Sequence, residues 1–233
     1  MMRSEEFIRD RKAAWCVGLP ALLFVVVIAH HPVVGLDRTA SVDELSAAIA
    51  RISLRNAAFH MGVLLMLSAQ TIGLWSFAVR LGLDRLLVRS GAFFYGISTG
   101  LLFLAGIVDG FATPLLGHIC TGDSAGCSGA LTTSIYIEFT WIQAFTKLGL
   151  TMQALGFAFW SIALVFSWHG RPRLAGVGGF VIALVPVAAL LTTNAALGPG
   201  RLAFLIAPGC IWMFGAAMFL WSGALIEPTR KNE

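Results

Sequence analysis

Apolar positions in this chain gather into six long runs, at residues 13–29, 57–79, 91–115, 141–166, 174–193 and 202–223. Each is dominated by Leu, Val, Ile, Ala, Phe and Gly. Each is close to the ~17–25 residues with which a helix crosses about 30 Å of hydrocarbon. The two-residue alternation of a barrel strand is missing, so the pattern predicts an all-α bundle of six transmembrane helices. Pro20, Pro186 and Pro208 fall inside runs. Neighbouring helices in a bundle accommodate such kinks by satisfying the freed backbone groups.

Two longer polar connections, residues 30–56 and 116–134, lie between the first and second runs and between the third and fourth. In the first, Ser41 and Glu44 have the spacing of a helix capping box. Val42, Leu45, Ile49 and Ile52 follow at helical intervals, with Asp43, Ser46 and Arg51 elsewhere around the turn. This predicts an amphipathic helix over about 42–56 resting on the outer interface, or continuous with the second span, since no Gly or Pro divides them. The second connection carries Cys120 and Cys127 among Gly117, Gly122, Gly126 and Gly129. Outside the cytoplasm such a pair in a flexible loop is expected to form a disulfide; metal ligation with His118 is the alternative. The fourth helix is expected to begin near Ile135, placing Glu138 on a solvated extension. A small outward-facing cap of helix and loop results.

Composition turns the helical pattern into a membrane expectation. Hydrophobic residues make up 58% of 233, charged residues only 12%, and mean hydropathy is +0.82. Soluble domains carry about 25% charged residues, and disorder requires low hydrophobicity with high charge. The chain therefore reads as a single polytopic membrane domain. Its basic residues are biased: eleven Lys and Arg, among them Arg9, Arg11, Lys12, Arg80, Arg85 and Arg171, fall at one set of span ends. Four, Arg38, Arg51, Arg55 and Arg201, fall at the other. The positive-inside rule places both termini in the cytoplasm, as in a bacterial-type inner membrane. The basic start and the small residues near Ala29 also resemble a signal peptide; the segment is expected to be retained as an anchor. The net charge of +4 is accounted for by this bias, and no basic, aromatic-interleaved patch points to nucleic acid.

Ionisable groups inside spans are expensive and mark candidate sites. Asp109 lies within the third run and Lys147 near the outer end of the fourth. At about 100° per residue, Tyr95, Ser98, Thr99, Asp109 and Thr113 share a face of the third helix. Tyr136, Thr140, Gln143, Lys147 and Thr151 share a face of the fourth, and His60, Ser68, Thr71 and Trp75 one of the second. Glu138 faces away from Lys147. Three polar stripes on consecutive helices predict a shared interior near the outer leaflet. Its expected binding residues are Asp109, Lys147, His60, Gln143, Tyr95 and Thr140. The competing reading is interhelical hydrogen bonding, with Asp109 and Lys147 as a structural pair or Lys147 snorkelling to headgroups.

His30, His31, His60 and His118 all map to outer span ends, while His169 is cytoplasmic. Together with Asp109 and Asp37 they offer ligands for copper, zinc or haem. The candidate metal set is His60, His118 and Asp109, although no cofactor is favoured and no metal-binding motif is present. Cys16 and Cys210 read as small buried hydrophobes. Nucleophile elbows and phosphate-binding loops are missing, no catalytic residue is identified, and internal repeats are not evident.

Three functions follow as expectations. The first is a pocket for an amphiphilic or lipid-like molecule between helices two, three and four. The second is a metalloenzyme or redox protein using the outer histidines. The third is a non-catalytic subunit, or a homo-oligomer, whose small residues Gly176, Gly178, Gly179, Ala216 and Ala217 meet partner helices.

Overall fold

The computed structural model describes residues 2–32, 42–120, 124–192 and 196–225, with side chains at 2–4, 6, 7, 42, 43, 120 and 124–132 excepted. Every regular element among them is helical: α1 Met2–Ala29, α2 Val42–Leu81, α3 Leu86–Ile107, α4 Thr113–Cys120, α5 Ser124–Ser167, α6 Arg171–Thr192 and α7 Pro199–Ser222. A π-helical segment, Val108–Ala112, joins α3 to α4. Among the described residues six stretches are long and apolar enough to cross a membrane by length and composition, α3, the π segment and most of α4 forming one of them.

The helices differ in length more than the apolar runs indicate. At 1.5 Å per residue, the 40 residues of α2 and 44 of α5 extend about 60 Å and 66 Å, against about 33 Å for the 22 of α6. The stretch at 42–56 is therefore the beginning of α2. Ser46, Ala48 and Ile49 there are buried, and the Ile49 side chain lies against Gly117 of α4. This apolar face is covered by α4, and of the two arrangements the sequence allows, an interfacial helix or one continuous with the second span, the chain adopts the continuous one. The connection at 116–134 is likewise mostly helix, because α4 runs to Cys120 and α5 starts at Ser124. Helical bonding satisfies the backbone groups within the segment, and Gly117, Gly126 and Gly129 lie inside these helices. The side chains of Cys120 and Cys127 lie outside the described residues, and so do Asp37 and Ser41. No disulfide occurs among the described cysteines, Cys16 and Cys210.

Between α2 and α3 the chain reverses at Gly82, whose φ of 92° is open to glycine and strained for residues with a Cβ. In the bundle α1 packs on α2 and α7, α3 on α5, and α5 on α6. The half of the bundle near this turn is closed by aromatic rings. Phe157 and Trp212 stack at 4.3 Å, Trp160 and Trp212 at 5.7 Å, and Phe77 meets both indoles edge-on. Their polar atoms are satisfied: Trp160 Nε1–H donates to Val88 O at 3.1 Å and Trp212 Nε1–H to Ser161 Oγ at 2.8 Å. At the same end, Asp10 is 2% exposed and accepts from Arg80 Nε at 3.0 and 2.8 Å through its two oxygens. Small residues on α6 and α7 serve the inside of the chain. Gly176 and Gly179 abut Ser161, and Ala216 and Ala217 are buried.

The outer surface of the bundle is strongly apolar. Leu22, Leu65, Ile72, Trp75, Phe166 and Val181 are all more than half exposed.

Candidate functional site

The half of the bundle opposite the aromatic cluster holds a cavity of about 320 Å³. Its walls are mainly apolar, drawn from α1 (Phe24, Ile28), α2 (Phe59, Val63, Leu67), α3 (Leu102, Ala105), α5 (Phe139, Ile142, Leu150) and α7 (Leu202, Ile206). Polar groups enter at few points: His31, His60 and Asp109 together, and Gln70, Gln143, Thr146 and Gln153 singly.

The three-residue cluster is built by three elements. His31 lies just beyond the end of α1, His60 is midway along α2, and Asp109 is in the π segment. Asp109 Oδ2 stands 3.3 Å from His31 Nε2 and 3.4 Å from His60 Nε2. One donor atom from each residue lies within 4.8 Å of the other two. The imidazoles meet edge to face with centroids 5.1 Å apart, and Phe59 packs edge-on against both.

Local chain geometry explains why Asp109 is there. In the π segment the Thr113 N–H bonds to Val108 O, five residues back, and Thr113 Oγ1–H also donates to that carbonyl at 3.1 Å. Such wider turns recur at functional positions because they re-aim side chains. α2 holds the segment in place: Asn56 Nδ2–H donates to the backbone carbonyl of Asp109 at 2.7 Å. One turn later, His60 Nδ1 lies 2.9 Å from Asn56 O. A carbonyl only accepts, so Nδ1 carries the proton and Nε2 is the nitrogen aimed at Asp109. The His31 ring keeps its buried Nδ1 without a partner among the described residues.

The sequence-derived candidates divide. Asp109, His60 and Gln143 line the cavity. Both ends of the Gln143 amide are engaged by Leu197, whose N–H donates to Oε1 at 2.7 Å while its carbonyl accepts from Nε2 at 3.3 Å. Gln143 therefore anchors the approach to α7. Tyr95 is buried in the aromatic cluster against Phe157 and Trp160. Thr140 is exposed and bonds back to Tyr136 O. Lys147 does not line the cavity, and the ion-pair partners of Asp109 are the two imidazoles. His118 bonds to Ser53 Oγ at 3.2 Å on the exposed side of α4. His31 takes the place in the cluster that the sequence reading gave to His118. Trp75, assigned to an inward stripe, is 58% exposed.

Gln70, Thr146 and Gln153 were not singled out from sequence. Gln70 is 1% exposed and its Nε2 has no partner among the described residues. A buried amide in an apolar helix costs free energy unless it is satisfied, so Gln70 and Gln153, set within apolar runs, carried the signal that identifies them.

No family model, curated protein or solved structure matches the chain.

Proposed function

We propose that this chain is a six-span membrane protein that holds an amphiphilic or lipid-like small molecule in the cavity between its helices. The polar end of the ligand lies at His31, His60 and Asp109 near the outer leaflet. The observation that carries this reading is the cavity itself: apolar walls with a few polar groups converging at one end. That is the arrangement by which small-molecule sites gain both affinity and orientation. Its volume, about 320 Å³, is at the lower end of the ~300–1,000 Å³ typical of ligand pockets. This suits a single apolar chain with a small head better than the body of a two-chain lipid.

Membrane placement is supported by the six long apolar helices and by the exposed Leu, Ile, Phe and Trp side chains around the bundle. Soluble monomers rarely expose apolar patches beyond about 300–600 Å². The bias of Lys and Arg puts both termini in the cytoplasm of a bacterial-type inner membrane. The Asp10–Arg80 pair then lies at the inner end, and the cluster at His31 at the outer end. Against the subunit reading, most of the small residues that suggested partner helices already form contacts within the chain.

The test is native mass spectrometry and solvent extraction of protein purified in mild detergent, with Ala105→Phe as comparison. Ala105 lines the cavity and is 6% exposed, so a phenyl group there occupies the ligand volume. Retention of one amphiphile by the unaltered chain and its loss in the folded variant is the expected result. An empty protein, or equal retention by both, removes the proposal. Cysteine labels beside Arg85 and at the C-terminus are expected to react from the cytoplasmic side only.

A further inference from the structure

We propose that His31, His60 and Asp109 bind one divalent transition-metal ion of the zinc or iron(II) class at the polar end of the cavity. Two imidazole nitrogens and one carboxylate oxygen are a donor set suited to such borderline cations, whereas calcium and magnesium prefer oxygen alone.

The distances fit co-ligation of one ion. An ion about 2.05 Å from an imidazole nitrogen and a carboxylate oxygen sets those donors about 3.3 Å apart in tetrahedral geometry. The two observed Nε2–Oδ2 separations are 3.3 and 3.4 Å. A charge-assisted N–H···O bond, by contrast, is typically about 2.7–2.9 Å. The third edge falls within 4.8 Å, so closure about an ion draws the two ring tips together by up to about 1.5 Å to reach a tetrahedral edge.

The protonation pattern of His60 agrees with this assignment. Its Nδ1–H is given to Asn56 O, so a neutral ring turns the Nε2 lone pair toward the carboxylate oxygen. Nε2 is thereby the nitrogen left to meet a cation beside the carboxylate, a proton in the empty site and the metal in the filled one. A histidine ligand whose other nitrogen donates to a backbone carbonyl is the usual outer support of a metal site. Asn56 serves twice, because its side chain also fixes the π segment that carries Asp109.

Three protein ligands leave a coordination position open. All three residues line the cavity, so an oxygen of a bound molecule can complete the shell from that side. This last step rests on the cavity reading; metal binding does not.

The experiment titrates the full chain, stripped with chelator in detergent, with Zn²⁺, and separately with Co²⁺ followed by visible absorption. Expected are one ion per chain, competition between the two metals, and zinc-edge X-ray absorption showing two imidazoles with nitrogen and oxygen donors near 2.0–2.1 Å. His60→Ala and Asp109→Asn are expected to weaken binding at least about 100-fold, and Asn56→Ala about 10–100-fold. His30→Ala leaves it unchanged, since that ring is exposed and bonded to Val26 O. The absorption data on the unaltered chain decide the matter if a variant fails to fold. No stoichiometric binding, binding that survives both ligand substitutions, or a shell lacking imidazole overturns the inference. An ion bound without any amphiphile supports the metal site while removing the cavity reading; an amphiphile retained by a chain that binds no metal does the reverse.

Discussion

Gly110 lies directly against His60: a β-carbon placed on it falls 2.5 Å from His60 Cβ and 2.7 Å from Cγ. The missing side chain lets the π segment approach α2 closely enough for Asp109 and His60 to share a site. Gly110→Ala therefore has to move either the imidazole or the segment. Overpacking of this kind costs about 1–3 kcal/mol, so the variant is expected to fold with a lowered midpoint. Its metal affinity is expected to fall at least about tenfold, in the range seen when outer supports are lost. Denaturant melts and the Co²⁺ titration measure the two effects. Affinity equal to that of the unaltered chain shows that the approach at Gly110 does not set the site.

The Asp10–Arg80 pair predicts an asymmetry between single and double substitutions. Arg80→Met leaves the Asp10 carboxylate, 2% exposed, without its guanidinium. Breaking a buried pair from one side costs about 3–5 kcal/mol, whereas replacing both partners with well-packed neutral groups is often close to neutral. Asp10→Asn with Arg80→Met is accordingly expected to be more stable than Arg80→Met alone. Thermal unfolding in one detergent measures the difference. Simple additivity of the two single changes counts against a buried, coupled pair.

Gln143 is predicted to act on the ligand through the backbone it holds. Its amide satisfies both the N–H and the carbonyl of Leu197, and Leu197, Gly198 and Pro199 line the cavity. Gln143→Leu removes both bonds. Each backbone group left unsatisfied in this half-buried connection costs up to about 1–3 kcal/mol, which the chain relieves by opening it to solvent. Faster hydrogen exchange at 196–198 is expected, together with weaker amphiphile retention and unchanged metal stoichiometry. Unaltered exchange there contradicts the anchoring role.

How far the sequence carried this reading varies with the physics behind each feature. The six long helices were legible because apolar length is a property of single segments, and Asp109 and His60 stood out because ionisable groups within such segments are costly. Their partner was not legible. Choosing His31 over His118 depends on where α1 stops and on α4 turning His118 toward Ser53. Asp109 does face the cavity, but its pairing with Lys147 was misread, because a shared polar stripe fixes only facing and Lys147 does not line the cavity. Gly110 gives no polar signal at all, since its role is the space that it leaves.

The stripe-derived pairing of Asp109 with Lys147 and the cluster of Asp109 with two histidines demand opposite outcomes from substitution. If Lys147 were the counter-charge of Asp109, removing the ammonium would strand the carboxylate and cost several kcal/mol. Lys147 instead lies away from the cavity lining, half-buried on α5, and Asp109 faces two imidazoles. Lys147→Met is therefore expected to shift stability by no more than about 0.5 kcal/mol, as for substitutions outside buried networks, and to leave metal affinity unchanged. Asp109→Asn is expected to abolish the stabilisation that bound Zn²⁺ confers, about 2.7 kcal/mol at an ion concentration one hundred times the dissociation constant. Melting curves of both variants with Zn²⁺ and with chelator give the comparison directly. A chain that loses its zinc-dependent shift through Lys147→Met, and keeps it through Asp109→Asn, would return the site to the pairing read from the helical stripes.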